Sequence, residues 1–203
     1  MIGIVDYGAG NIKSIENAFL SVGAKIKLVK DPDELIRFDR IVLPGVGAFK
    51  DAMEILKKIN LDEAIKDFIK TGKPFLGICL GLQLLFETSE EFETSNGLGI
   101  LKGKVVKFDK SKFDKNLKIP HIGWNSLELR KTSQLTKNLK DKPYMYFVHS
   151  YHIECNKDIL LSKTFYGYEF TSAIEKDNVF GLQPHPEKSG EVGLKIVKNF
   201  MEI

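Results

Sequence analysis

Cysteine is scarce in this chain: Cys79 and Cys155 are the only two among 203 residues. Two are too few for a disulfide framework and point to a reducing compartment, the cytoplasm, where a thiolate persists. Long hydrophobic runs are missing too, so no segment approaches the length of a membrane span. The opening Met1-Ile2-Gly3-Ile4-Val5-Asp6 lacks a basic flank and its apolar run ends at Asp6, which reads as a first strand rather than a signal peptide. Neither sign of charge dominates: 30 basic against 27 acidic residues leave +3, with no electrostatic footprint for nucleic acid. The local exception is residues 102–118, with seven lysines against Asp109 and Asp114, read as the wet faces of short strands. No His, Cys and acid spacing resembles a zinc or facial-triad site, and neither metal nor cofactor is expected. Asp6-Tyr7-Gly8-Ala9-Gly10-Asn11 imitates a dinucleotide loop only superficially, since the third glycine would fall at Lys13, and no Walker-type loop occurs.

What is present is an ordinary globular composition, 43% hydrophobic and 28% charged, in a length that suits one domain over residues 1–203. Short apolar runs alternate with helical patterns, which predicts an α/β fold: a mostly parallel central sheet with helices on both faces. Strands are predicted at 2–5, 25–29, 40–43 and 74–78, and helices at 12–22, 48–57 and 61–70. A short helix opens at Asp31-Pro32-Asp33-Glu34, where an N-cap, a first-turn proline and two acids coincide. A helix is also predicted over 82–88. Beyond Thr88 the signals become short strands, at 98–101, 105–108, 125–129, 144–148, 160–164 and 170–174, predicting antiparallel extension strands on the parallel sheet. Residues 178–182 lead into a loop at His185, and 190–201 close the chain as a helix.

Chemistry concentrates at Gly77-Ile78-Cys79-Leu80-Gly81, between an apolar strand and a helix-like stretch. That is the pattern of a nucleophile elbow, a sharp turn holding a reactive side chain proud of a parallel sheet, with glycines where a Cβ has no room. A helix starting at the sulfur would favour the thiolate. The competing reading is a buried core cysteine in a glycine-rich turn. His185-Pro186-Glu187 supplies what a nucleophilic thiol needs: an imidazole to move the proton, and a carboxylate to fix its tautomer. In extended backbone, residues two apart share a side, and Pro186 is expected to keep the segment from becoming helical. His152 near Glu154 is the fallback base. Pro44-Gly45-Val46-Gly47 offers backbone amides to an oxyanion, with the Leu80 N–H as second donor. Gln83 lies one turn beyond Cys79 on the same face.

With these residues in place the chain resembles the class I (triad) glutamine amidotransferases over nearly its whole length. The elbow and His185-Pro186-Glu187 carry that resemblance, together with Val5-Asp6-Tyr7-Gly8-Ala9-Gly10-Asn11 and Leu43-Pro44-Gly45-Val46-Gly47-Ala48-Phe49. Pro120-His121-Ile122-Gly123-Trp124-Asn125 and Tyr146-Phe147-Val148-His149-Ser150-Tyr151 narrow it to glutaminase subunits that pair with a (β/α)₈ cyclase barrel of histidine biosynthesis. The resemblance implies that Cys79 attacks the side-chain amide of glutamine, that His185 protonates the departing ammonia, and that water hydrolyses the glutamyl thioester. It implies that Gly47, Gln83, Ser150 and Tyr151 hold glutamine. It also implies that the Gly45–Val46 peptide forms an oxyanion strand that reorients on activation, and that ammonia passes to the barrel in a heterodimer. Asn11, Trp124, Tyr146 and Lys188 would face that partner. Gln183-Pro184-His185 departs from the family, which usually carries an aromatic in place of Pro184. That change removes a backbone donor beside the histidine.

Three other readings compete. A paralogous glutaminase could feed amidation of a surface sugar, which the stretch from Tyr166 to Gly181 resembles. A stand-alone cysteine peptidase or γ-glutamyl hydrolase could share the elbow without needing the Trp124 and Lys188 surfaces. A subunit without activity could only regulate its barrel, against which an intact triad argues. Cys155 is read as a buried thiol.

Overall fold

The computed structural model arranges the helices and strands around one large sheet and describes residues 1–8, 11–113 and 116–203. Ala9, Gly10, Asp114 and Lys115, parts of the 6–11 loop and of the lysine-rich 102–118 stretch, lie outside the described residues. The first half runs β1 (Ile2–Val5), α1 (Ile12–Ser21), β2 (Ile26–Val29), a 3₁₀ turn (Pro32–Arg37), β3 (Arg40–Leu43), α2 (Phe49–Lys58), α3 (Leu61–Lys70) and β4 (Phe75–Ile78). Asp31 caps the 3₁₀ turn, accepting from the Asp33 N–H at 3.0 Å, as its sequence predicts. β1 and β4 are buried along their whole length, which is why they read as continuous apolar runs rather than alternations. Ile2 and Ile4 join a cluster with Ile15 and Phe19 of α1, whereas Val5 joins Phe49, Leu56 and Phe68 of α2 and α3. The sheet is therefore covered on both faces. Each fully buried phenylalanine among these contributes about 1.5–3 kcal/mol.

The second half departs from the expected boundaries in instructive ways. The helix predicted over 82–88 is a single turn, α4 (Leu80–Gln83), followed by β5 (Phe86–Ser89) and β6 (Ser95–Asn96). Leu82, Leu84, Leu85 and Phe86 are all fully buried, and a run apolar on every side carries no period to separate helix from strand. The strands expected at 98–101 and 105–108 are one strand, β7 (Leu101–Lys107). Gly103, at φ +131°, sits where the β5–β7 register slips between Phe86 and Thr88, so the glycine marks a bulge rather than a break. The wet face expected here holds for Lys102, Lys104 and Lys107, all exposed. The 125–129 strand resolves into β8 (His121–Ser126) and β9 (Glu128–Leu129), followed by β10 (Tyr144–His149). β11 (Tyr151–Cys155) escaped the sequence reading because buried His152 breaks the hydrophobic alternation. β12 (Leu160–Tyr166), β13 (Tyr168–Lys176), β14 (Val179–Leu182) and α5 (Gly190–Glu202) complete the chain.

Among the described residues, twelve strands form one sheet with the path β2-β1-β3-β4-β14-β13-β11-β7-β5-β6, while off this path β12 pairs with β13 and β9 pairs with β12. From β2 to β14 the pairing is parallel; β14–β13, β13–β11 and β11–β7 are antiparallel. β8 and β10 make a separate two-stranded antiparallel sheet. α5 packs beside α1, where Phe200 meets Phe19 edge-on at 6.4 Å and Phe180 of β14 at 6.2 Å. No helix among the described residues is long and apolar enough to cross a membrane.

Candidate active site

Three neighbouring parallel strands deliver the chemistry. β3 runs into the 44–47 turn, β4 into Cys79 and β14 into the loop that carries His185. All three end at the same edge, the crevice outside the carboxyl ends of a parallel sheet where α/β proteins place their sites. Cys79 adopts φ +54°, ψ −110°, a conformation that costs a non-glycine residue about 1–3 kcal/mol and that its surroundings enforce. A Cβ on Gly77 would lie 2.6 Å from the Gly81 carbonyl oxygen, and one on Gly81 would lie 1.9 Å from that of Leu43. The elbow is thus required by backbone contact on both sides of the nucleophile. Because α4 is only one turn long, little macrodipole backs the sulfur, contrary to the expectation of a full helix. What the turn does leave is N-terminal amides, Leu80 first, without intrahelical acceptors.

His185 and Glu187 pair as predicted, with Nδ1 and Oε1 2.7 Å apart and both side chains buried. The backbone route differs from the expectation. Pro186–Lys188 is a 3₁₀ turn, with Pro186 in the first-turn position that tolerates a missing N–H, and His185 stands before it in extended conformation. Nε2 of His185 is buried without a hydrogen-bond partner. Burial disfavours the charged imidazole, but the neighbouring Cys79 and Glu187 outweigh it, and the pKa of His185 lies above the usual histidine value. The missing N–H of Pro184 leaves no gap, since the Gln183 N–H donates to the Ser172 carbonyl and the His185 N–H to the Tyr146 carbonyl, each at 2.9 Å.

Cys79 and His185 open into a cavity of about 640 Å³ that is also lined by Val46, Gly47, Leu80, Gln83, Ser150 and Tyr151. Lys188, expected on a partner-facing surface, lines this cavity as well, with its Nζ 5.8 Å from the Tyr146 ring. Gly45 does not line it; with Asn11, Val46, His185 and Glu187 it surrounds a small void behind the pair. Asn11 also caps α1. Trp124 is exposed and meets the Tyr146 ring edge-on at 6.2 Å. The fallback pair separates from the site: His152 bonds the Tyr168 hydroxyl at 2.9 Å and, with Glu154 and Cys155, borders a different cavity. Cys155 is half-buried, and burial raises its pKa.

Two lining or bracing groups went unread in the sequence. Glu91 borders the cavity and accepts from the Phe49 N–H at 2.6 Å, which anchors a carboxylate at the cavity wall. Gln183 is fully buried with its carboxamide 3.7 Å from the Cys79 sulfur. The two-residue spacing that tied Glu187 to His185 extends back to Gln183, and that was the signal available.

A strained nucleophile, a buried His–Glu pair and a cavity at the end of a parallel sheet define a thiol-dependent acyl-transfer site. A family model described as "Glutamine amidotransferase class-I" matches residues 3–203, and the chain belongs to that family. Within it the chain is similar to the imidazole glycerol phosphate synthase subunit HisH of Sulfurimonas denitrificans, 54% identical over 98% of this chain and 97% of the relative. It is also similar to the subunit of the same name from Methanocaldococcus jannaschii, 49% identical over the full length of both. Among solved structures, PurLQS from Thermotoga maritima superposes with a TM-score of 0.77 at 22% identity, covering 99% of this chain and 97% of that one, which is a likeness of fold.

Proposed function

We infer that the chain is the glutaminase subunit of an imidazole glycerol phosphate synthase, releasing ammonia from glutamine for a cyclase partner in histidine biosynthesis. The observation that carries the chemistry is the unpartnered Nε2 of His185, braced by Glu187 and turned into the cavity that holds Cys79. The pathway rests on the full-length similarity to HisH subunits. Cys79 attacks the carboxamide carbon, and its proton goes to His185. The resulting oxyanion lies between the Leu80 N–H and the Gly45–Val46 peptide. His185 returns the proton to the leaving nitrogen, which departs as ammonia, and then activates the water that hydrolyses the thioester. Gly47, Gln83, Ser150 and Tyr151 hold the substrate, and Glu91 offers a carboxylate to its ammonium group.

Asn11, Trp124, Tyr146 and Lys188 face a (β/α)₈ partner in this reading, and the assembly works in the cytoplasm. The support is an apolar surface: Ile122, Trp124 and Tyr144 are 59%, 55% and 59% exposed on the β8–β10 sheet. Glutamate release is measured for the chain alone, with the cyclase of the same organism, and with that cyclase plus its phosphoribosyl substrate. Strong stimulation by partner and ligand is expected. A barrel that binds but does not stimulate would move the assignment to another customer, such as sugar amidation. Turnover unaffected by any barrel would instead mark a stand-alone hydrolase.

A further inference from the structure

The roles assigned so far leave the Gln183 carboxamide unused, although it is fully buried and points at the nucleophile. Its Nε2 lies 3.7 Å from the Cys79 sulfur, and its Oε1 lies 3.0 Å from Nε2 of Gln83. Oxygen and nitrogen of a carboxamide have nearly the same shape, so the orientation has to come from the partners. Here a backbone carbonyl decides it. The Tyr151 oxygen carries no proton, and both groups that reach it must donate: His149 through Nδ1 at 2.8 Å and Gln83 through Nε2 at 3.1 Å. The second proton on Gln83 Nε2 then goes to Gln183 Oε1, which turns the Gln183 amino group toward the sulfur.

The other branch is fixed the same way. With its proton on Nδ1, and with burial pushing its pKa down to about 3, His149 is neutral and accepts at Nε2. His121 Nδ1 therefore donates to it at 3.1 Å, and His121 Nε2 accepts from Asn125 Nδ2 at 3.3 Å. Every member of the chain from Asn125 to Cys79 has one permitted direction.

We propose that Gln183 is a further catalytic residue whose Nε2–H donates to the Cys79 thiolate, and that Gln83, itself oriented by the Tyr151 carbonyl, is the positioning residue that holds this carboxamide the right way round. The role rests on the glutaminase reading only in that the thiolate is the working nucleophile. No bond is made or broken by Gln183. It stabilises the ionised sulfur after the thiol proton has passed to His185, and a carboxamide that cannot itself ionise is suited to that task.

The test is the rate of iodoacetamide alkylation of Cys79 against pH, followed on its own peptide so that Cys155 is counted separately. It is run on the full chain with and without the barrel. Gln183→Met removes the donor, and Gln183→Glu keeps an acceptor for Gln83 but removes the donor as well. Each is expected to raise the apparent pKa of the sulfur by about one unit, about tenfold less thiolate below it. A residue that only fills space would leave the profile in place. His185→Ala serves as the control: if it shifts the profile and neither Gln183 variant does, the Gln183 role is overturned and the triad stands. If none of the three shifts it, the triad fails as well. Should both Gln183 variants misfold, the side-chain amide resonance of Gln183 is followed in wild type while Cys79 is alkylated. The resonance is expected to move, and one that stays put overturns the proposal.

Discussion

The two sides of the catalytic pocket are held by opposite means. On the nucleophile side, position comes from the exclusion of side chains: Gly81 abuts the Leu43 carbonyl, Gly77 abuts Gly81, and Cys79 is driven to positive φ between them. On the base side, position comes from directed bonds. The His185 N–H donates to the Tyr146 carbonyl, the Ser189 hydroxyl donates to the His185 carbonyl at 2.6 Å, and the Tyr146 N–H donates to that hydroxyl at 3.0 Å. Backbone contact is all or none, because no rotamer relieves it, whereas hydrogen bonds can be removed one at a time. Damage to the first side should therefore strike the fold, and damage to the second should strike the rate.

The largest effect is expected from Gly81→Ala. A methyl group 1.9 Å from a carbonyl oxygen forces the elbow apart, costing more than about 3 kcal/mol and with it most of the soluble, cooperatively melting protein. A variant that melts like wild type would break the comparison outright. Next is Glu187→Gln, which leaves the backbone alone but removes the charge that orients His185. Glutamate release in the stimulated complex should fall by about 10³-fold while the melting temperature stays close to wild type. A large loss of stability there would show that the base side, too, is held by packing.

A smaller effect sharpens the contrast through pH. Burial depresses the pKa of His121 to about 4 and that of His149 to about 3. The unfolded chain takes up these protons first, near the ordinary histidine value of about 6.5. The stability these neutral rings contribute is therefore complete above that pH and is lost as pH falls toward 4, by up to about 1.4 kcal/mol per pH unit for each ring. Urea unfolding at several pH values measures the slope, which His121→Gln should make shallower. Equal slopes in the two proteins would mean that the ring protonates freely in the folded state.

The nucleophile side was far more legible in the sequence than the base side. Gly77, Cys79 and Gly81 announce a steric constraint in three alternate letters, and the positions of β1 to β4 follow from apolar runs. Directed bonds leave weaker traces. The link from Tyr146 to His185 joins residues far apart in the chain through backbone atoms that every residue has. β11 hid behind a buried histidine, and the helix expected after the elbow dissolved into β5 because a run buried on all sides has no period. The His185–Glu187 pair was readable because local spacing encodes it. Gln83, Gln183 and the Tyr151 carbonyl meet only through folding, so their orientation chain was not.

The abutment of Gly81 on the Leu43 carbonyl has a mechanical meaning beyond the elbow. Leu43 is the last residue of β3 and leads straight into the 44–47 turn, so the nucleophile and that turn share a fixed bearing made of backbone alone. Any movement of the 44–47 turn begins from a point that cannot recede from the sulfur. The distance from the nucleophile turn to the end of β3 is set by two carbonyl-to-glycine contacts, and it should persist however freely the side chains around the cavity are exchanged.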